Sequence, residues 1–462
     1  MPRFPLKTAL AFITFVLVLV AWRHWDVNKG IAPSIFAEAI KLRLLRAPVP
    51  TTPQVATTKP AETKPLTPGH TPNPTRPAIS AYLFDDSGTL DSFFASLARL
   101  EAAKDNEHVS VLHYGDSPTT ADLITGDVRS LLQQHFGDAG HGYLLIAKPW
   151  AWYGHRDTDI SSKSWTISTA VGKMRSDTYG LGGASFQGST GASSHITLKD
   201  AAQSSMELSF LAQPNGGTVQ ISADDLPIAT VDTAADTAAP AWQTIPLPPG
   251  TKAVDIKPAS GHVELFGETF ERQQHGILYD SLGLNGASTT VLSRSFNSEI
   301  WADELKHTAP QLVVINYGTN ESSFGSFVDK QYEGELRTTI QRIRNALPNV
   351  SILVMSPMDR GQRSGIDEIE TMDTIPRIVA IQKRVASDTQ CAFFDTFNAM
   401  GGDGTMSRWY TGKPRLVAAD LIHPTPQGAS IVAQIFVKDL TLGYDRYKAQ
   451  QAPPAPKQAA KP

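Results

Sequence analysis

The sequence holds a single cysteine, Cys391, in 462 residues. That excludes an intrachain disulfide framework and any multi-cysteine zinc site. Cys391 opens the run CAFFDTF, which reads as a buried strand, so its thiol is expected to be an inert core group. An excess of positive charge is also missing: 41 Lys and Arg stand against 45 Asp and Glu, a formal net charge of -4. A global basic footprint for nucleic acid is thereby excluded, and no strongly acidic partner is implied. Several site motifs are absent too. There is no Gly-x-Ser-x-Gly elbow, no His-Glu-x-x-His zinc helix and no phosphate-loop glycine spacing. The histidines are scattered, and His113, His141 and His155 read as core or surface residues rather than ligands. No metal and no cofactor are expected. The remaining composition, 41% apolar and 19% charged, is that of an ordinary globular protein with length for roughly three domains.

Long hydrophobic runs are likewise missing, with one exception. Thr8 to Trp22, TALAFITFVLVLVAW, is uncharged and apolar, preceded by Arg3 and Lys7 and followed by Arg23 and His24. It is short against the about 20 residues of a membrane span, but Phe4, Pro5 and Leu6 extend it and Lys7 can snorkel. It ends without the small-residue site of a cleaved signal peptide, and Trp22 and Trp25 fit interface anchors. A signal anchor with the C-terminus outside is expected, cleavage and secretion being the alternative. Residues 33–46 have the pattern of a short amphipathic helix. Pro48 to Pro77 then holds nine prolines among Thr, Lys and Ala, a composition that favours an extended stalk over a core. The last residues, KAQQAPPAPKQAAKP, are low in complexity and read as a disordered tail.

Between these ends the pattern changes twice. From Ala78 to about Leu145 it is α/β: a helical spacing over Thr89–Ala103, a buried strand HVSVLHY, and a helix over Thr120–Phe136. From 146 to about 274, short alternating runs such as SWTIST, SMELSFLA, GTVQISA and HVELFGETF lie between turn signals, with no long helix. These predict an antiparallel β-sandwich. The α/β pattern resumes at Gly276 with strands and helices in alternation, which implies a parallel sheet covered on both faces.

Three stretches come directly after predicted strands of the α/β part. The first is Gly115-Asp116-Ser117, between a strand and a helix at the carboxyl edge of the sheet, where open α/β folds bind ligands. Ser117 there can lend its N–H to a nascent oxyanion, or simply cap the helix. The second is Gly318-Thr319-Asn320-Glu321. Asn320 is either a neutral donor suited to a developing negative oxygen or a turn residue. The third is Asp420-Leu421-Ile422-His423-Pro424. Its carboxylate and imidazole stand three apart, as an orienting acid and a base would, or as a cap and a surface histidine.

Taken in order, these motifs resemble the GDSL/SGNH hydrolase family, with Gly283-Leu284-Asn285-Gly286-Ala287-Ser288 matching its glycine block. The resemblance covers about Val109–Leu145 and Gly276–Leu440. It implies a flavodoxin-like three-layer α/β/α domain and an ester-cleaving serine mechanism. Ser117 would be the nucleophile, His423 the base and Asp420 its orienting acid. The Ser117 N–H, the Gly286 N–H and the Asn320 side chain would form the oxyanion hole, Gly283 being the less favoured glycine. Glu321 departs from the Asp that many members carry after the Asn, and it is expected to matter little because the donor is Asn320.

Ser117 and Gly286 are 169 residues apart, far beyond the roughly 30 of a βαβ unit, and the surplus is the β-rich stretch. A sandwich inserted there resembles bacterial peptidoglycan O-acetylesterases, whose insert looks like a carbohydrate-binding module. The resulting division is an anchor (1–30), a juxtamembrane segment and linker (31–78), a first hydrolase part (79–149), the inserted sandwich (150–274), a second hydrolase part (275–447) and the tail (448–462). The expected protein is an inner-membrane-anchored periplasmic serine esterase that takes O-acetyl groups from an acetylated polysaccharide, foremost peptidoglycan, and has no nucleic-acid partner. Alternatives are a polysaccharide O-acetyltransferase and a non-catalytic glycan-binding protein. Trp150, Trp152, Tyr153 and Trp165, near the entry to the insert, are expected either to stack on sugar rings or to fill the domain junction.

Overall fold

The parallel strands of the α/β part are short apolar runs with both faces covered, as HVSVLHY and LVVIN predict. In the computed structural model, which describes residues 78–102, 107–172, 176–365 and 368–451, they form one six-stranded sheet. Its members are Leu83–Phe84 (β1), His108–Gly115 (β2), Gly276–Gly283 (β3), Leu312–Asn316 (β4), Ser351–Met355 (β5) and Ala392–Phe394 (β6). The order is β1-β6-β5-β4-β2-β3, with every pair parallel except β1 against β6. Counted from β2, the parallel strands run 2-1-3-4-5, the flavodoxin-like order. The chain reverses direction across the sheet at β2, whose neighbours are β3 on one side and β4 on the other. The crevice at that switch point lies just beyond Gly115.

Alternate residues feed opposite faces. Val111, Val314 and Leu353 join Phe93, Val128, Leu132 and Phe436 on one side. Leu112, Val313 and Ile352 join Trp301, Leu336 and Ile375 on the other. The covering helices are Asp91–Ala102 (α1), Ser117–Thr120 (α2), Ile124–Phe136 (α3), Ser298–Thr308 (α4), Gly325–Lys330 (α5), Tyr332–Ala346 (α6), Thr374–Asp388 (α7) and Pro426–Gln451 (α8). Cys391 is buried and free, and burial raises its thiol pKa.

The β-rich stretch is a sandwich of two antiparallel sheets. One has the order Leu226–Asp232, Thr218–Ala223, Ala253–Ser260, Ser193–Leu198, Thr158–Lys163. The other runs Ala239–Pro246, Ser205–Ala212, His262–Glu271, Ala184–Ser189, Thr166–Thr169, with Gly142–Leu144 added on His262–Glu271. Sandwich pairing thus begins at Gly142, ahead of the boundary at 150 read from the sequence. Gly142, Tyr143 and Leu144 are all buried, so they show no alternation to mark a strand. Thr158–Lys163 and Ala239–Pro246 also escape the sequence pattern. Both are edge strands, polar in one case and proline-bearing in the other, as edges tolerate.

Helix α8 continues to Gln451, so the first residues of the stretch 448–462, expected to be a disordered tail, are helical. The proposed anchor at 1–30, the linker up to residue 77 and the tail beyond 451 lie outside the described residues. Among the described residues no helix is long and apolar enough to cross a membrane.

Candidate active site

The site is built from loops at the carboxyl ends of β2, β3, β4 and β5 and from the turn before α8. After β2 the chain turns at once into α2. Ser117 is the first helical residue and Asp116 occupies the cap position, so Ser117 is not the N-cap. It is partly exposed, while Asp116, Pro118 and Thr119 around it are buried. Two glycines of the β3 block have different duties. A Cβ on Gly283 would stand 2.0 Å from the backbone nitrogen of Thr120, so this glycine lets β3 close against α2. Gly286 is exposed, with φ +75° and nothing within 4 Å of a built Cβ. It sits at the third position of a turn closed by the Ala287 N–H on the Leu284 carbonyl, where a left-handed residue is required. Gly283 is buried by packing, and the open backbone is that of Gly286.

Asn320 follows β4. One N–H of its amide donates to the Ala287 carbonyl at 2.8 Å. An amide nitrogen has two donors, so the second remains for a ligand while the first locks the group to the Gly286 turn. Glu321, expected to matter little, does the tying underneath. Its carboxylate is 1% exposed and accepts from the Thr289 N–H (2.8 Å), the Thr289 hydroxyl (2.9 Å) and the Gly318 N–H (3.1 Å). It therefore joins the loop after β3 to the loop after β4. Burial raises its pKa, while the Thr289 and Gly318 hydrogen bonds oppose that rise.

Asp420 and His423 meet through the turn before α8. His423 Nδ1 lies 2.7 Å from Asp420 Oδ2, while Asp420 Oδ1 accepts from the Ile422 and His423 N–H groups at 3.0 and 3.1 Å. Burial raises the Asp420 pKa, but the bonds from His423 and Ile422 outweigh it and hold the carboxyl below its usual range. The turn depends on Leu421, a buried non-glycine residue at φ +62°. That left-handed geometry is disfavoured for a bulky side chain. It brings acid and imidazole face to face across two intervening residues.

Ser117, Asn320 and His423 line one pocket of about 90 Å³. This is well under the roughly 300 Å³ of sites for drug-sized ligands and suits a short acyl group. A larger cavity, about 470 Å³, lies between Ser92 and Val350 and is lined by no histidine, aspartate or glutamate. It has no base for a nucleophile. Among the described residues no cluster of His, Cys, Asp and Glu could hold a metal. His113, His141 and His155 are all buried away from the pocket.

Two further pocket residues were not singled out from the sequence. Asp116 is buried and its pKa is pushed up to about 7, first by burial and further by the Glu321 charge, while the Thr319 hydrogen bond and the His423 charge oppose. Arg360 lies in the loop after β5. Its signal was its place just past a buried parallel strand, the position that supplies the other loops as well.

The aromatic residues at the insert entry divide. Tyr153 is buried, with its hydroxyl accepting from the Leu145 N–H at 2.8 Å, and Trp165 Nε1 bonds Ser194 at 3.0 Å. Trp150 is partly buried against the core. Trp152 is 53% exposed. Its turn is pinned to the nucleophile helix by the Gly154 N–H on the Thr120 carbonyl (3.2 Å), and to the segment just after that helix by the Arg156 N–H on Asp122 (2.8 Å).

Residues 255–431 match the model of the GDSL-like lipase/acylhydrolase family. The match contains Gly286, Asn320, Asp420 and His423 but stops short of Ser117, which lies beyond the insert. No curated protein matches the chain in sequence. Among solved structures, a peptidoglycan O-acetylesterase shares the fold with a TM-score of 0.66 at 23% identity, over 77% of this chain and 96% of that one. A carbohydrate esterase of family 3 from Talaromyces cellulolyticus is 18% identical over 37% of this chain and 73% of its own, with a TM-score of 0.28. A family two carbohydrate esterase from Clostridium thermocellum is 12% identical over 61% of this chain and 100% of its own, with a TM-score of 0.27. The switch-point crevice, the ordered motifs and the family match together make the α/β part a GDSL/SGNH hydrolase domain, and the protein a carboxylic ester hydrolase.

Proposed function

We propose that the protein removes O-acetyl groups from a cell-envelope polysaccharide, foremost peptidoglycan, through an acyl-serine intermediate. The observation that carries this reading is the meeting of Ser117, Asn320 and an Asp420-oriented His423 in one small pocket. Ser117 Oγ attacks the ester carbonyl carbon and its proton passes to His423 Nε2. The carbonyl oxygen becomes negative and is met by the Ser117 and Gly286 N–H groups and the free N–H of Asn320. His423 returns the proton to the sugar oxygen as the C–O bond breaks. Water, deprotonated by the same imidazole, then releases acetate and restores the serine.

The pocket volume supports acetyl over long acyl chains. The fold shared with a solved peptidoglycan O-acetylesterase supports the polymer, and the exposed Trp152, on a turn tied to α2, supports a sugar platform. The apolar run Thr8–Trp22 and the proline-rich segment support an anchored enzyme working outside the inner membrane. The test is acetate release from acetylated peptidoglycan and acetylated xylan, beside hydrolysis of acetyl and octanoyl 4-nitrophenyl esters. Acetyl preference with release from peptidoglycan is expected. Octanoyl preference would make the protein a lipase, and release from xylan alone would keep the mechanism and change the polymer.

A further inference from the structure

Between the sheet, α4 and the sandwich lies a cavity of about 290 Å³ that shares no lining residue with the ester pocket. Its floor is Ser110 on β2 beside Leu278 and Asp280 on β3. One wall is α4, which brings Glu304, His307 and Thr308 to one side by their i, i+3 and i+4 spacing. The other wall is the sandwich, where Glu207, Thr269 and Glu271 come from the paired strands Ser205–Ala212 and His262–Glu271. Four carboxyl groups therefore face one cavity, and among the described residues no lysine or arginine lines it.

The acceptors divide into spent and open ones. Glu304 accepts from Ser209 Oγ at 2.8 Å and faces Trp242 Nε1 at 3.4 Å. Glu207 lies 2.8 Å from His307 Nε2 and accepts from Thr244 Oγ1 at 3.2 Å. Asp280 spends only Oδ1, on the Tyr143 N–H at 2.8 Å. Among the described residues neither Asp280 Oδ2 nor the Glu271 carboxylate accepts a hydrogen bond, and Glu271 meets His108 only at 3.9 Å. Ser110 is 8% exposed, and its Oγ has no partner among those residues, on the sheet face it shares with Leu278 and Asp280. The nearby cations are committed elsewhere, Arg129 to Asp122 and Asp157, Lys306 to Asp303. Burial raises the carboxyl pKa to about 7 at Glu304, to about 6 at Asp280 and above its usual range at Glu271. The Glu207 charge adds to the rise at Glu304 and Glu271, and the Glu271 charge adds at Asp280. His108 and His307 oppose it at Glu271, as the Tyr143 N–H and Arg129 do at Asp280.

We propose that this cavity binds a small alkyl diamine, with one ammonium on Asp280, Glu271 and Ser110. An ammonium has three N–H donors, and these three side chains hold the open acceptors. Bonds from an ammonium to carboxylates are charge-assisted and repay the burial that the carboxyls otherwise bear. Glu207 and Glu304 favour a second positive charge, while Leu181, Leu278 and Tyr143 give an alkyl stem apolar contact. The volume lies at the small end for organic ligands. Among the described residues no group of His, Cys, Asp and Glu could hold a metal ion, which leaves the role to an organic cation. The site does not depend on the chemistry of the ester pocket.

Titration calorimetry at pH 8 compares 1,5-diaminopentane with lysine, which adds a carboxylate, and with 5-amino-1-pentanol, which replaces one ammonium by a hydroxyl. Wild-type protein should bind the diamine at least about 10-fold more tightly than either. Affinity should fall by about 10-fold or more from pH 8 to pH 5.5, because Glu304, Asp280 and Glu271 take up protons in that direction and a neutral acid no longer attracts a cation. Glu271→Gln and Asp280→Asn, with unchanged circular dichroism, should each weaken diamine binding by about 10-fold, and Ser110→Ala by about 3-fold. Should the buried Asp280→Asn fail to fold, the partly exposed Glu271→Gln decides. Equal affinity for the three ligands overturns the proposal, as does unchanged affinity in folded Glu271→Gln or tighter binding at pH 5.5. Absence of binding at millimolar diamine overturns it too. So does a rise in Tm with magnesium chloride equal to that with the diamine at matched ionic strength, which would mean general charge screening.

Discussion

The carboxyl edge of the sheet and the junction with the sandwich both bury carboxyl groups, and they treat them in opposite ways. At the edge, Glu321 is fully buried yet accepts three hydrogen bonds from the two loops that carry the oxyanion donors. At the junction, Glu268 is 0% exposed on the strand His262–Glu271, and neither of its oxygens has a hydrogen-bond partner among the described residues. Burial alone raises the Glu268 pKa well above the usual range, which favours the protonated form. Glu304 is intermediate. On α4 it accepts from Ser209 Oγ at 2.8 Å and faces Trp242 Nε1 at 3.4 Å, and burial pushes its pKa up to about 7 against those bonds. Equal burial thus does not mean equal duty. A carboxylate that ties loops together organises a site, whereas a buried carboxyl without donors burdens the fold.

The largest expected effect tests the edge directly. Ser117→Ala should lower 4-nitrophenyl acetate hydrolysis on the order of 10⁴-fold or more, with unchanged circular dichroism, since the acyl-carrying hydroxyl is gone. Near-native turnover in a folded variant would remove Ser117 from the chemistry. Asn320→Ala should lower kcat by about 10²–10³, the loss of one oxyanion donor. A change confined to KM would make the amide a ground-state binder.

The contrast between carboxyls is sharpened by stability. Glu321→Ala strands the Thr289 and Gly318 donors and should cost about 2–4 kcal/mol in urea unfolding, with kcat falling as the Asn320 loop loosens. Glu268→Met should leave stability unchanged or raise it by up to about 2 kcal/mol, without touching kcat. Equal losses in the two variants would break the comparison.

The smallest effect is a slope. The folded Glu304 pKa is raised, so between the unfolded value near 4.5 and about 7 the native state holds a proton that the unfolded chain has released. Stability from this group is therefore full at low pH and is lost as pH rises through that window, levelling above it. Glu304→Gln should flatten the fall of Tm between about pH 5 and 7.5. An unchanged slope would place that titration elsewhere, the next groups being Asp116, raised to about 7, and Asp280, raised to about 6, both mainly by burial.

Much of the site was legible because its signals are local. Asp420 and His423 sit three apart, and the turn that joins them is built from their own backbone and Leu421. Gly115-Asp116-Ser117 and Gly318-Thr319-Asn320 each stand just past an apolar strand run, and a strand end of this kind delivers the next few residues to the carboxyl edge. The insert was legible as a change from helical to alternating period. Strands without alternation were missed, among them Gly142–Leu144 and Ala184–Ser189, because burial on both faces or glycine and serine content erases the period. Glu321 was undervalued for a related reason: its meaning lies in Thr289, 32 residues away, across two loops.

The sequence by itself determined the alternation of strands and helices, the order of the motifs and the location of the insert, because period, turn chemistry and short-range pairs are written in neighbouring residues. Tertiary structure alone decided which strands pair, and hence that β2 lies between β3 and β4 with Ser117 at the switch point. It also decided that Glu321 bridges the oxyanion loops, that Trp152 remains exposed while Tyr153 is buried, and that Arg360 enters the ester pocket. These depend on groups brought together by packing from distant parts of the chain, and no local period or spacing records such meetings.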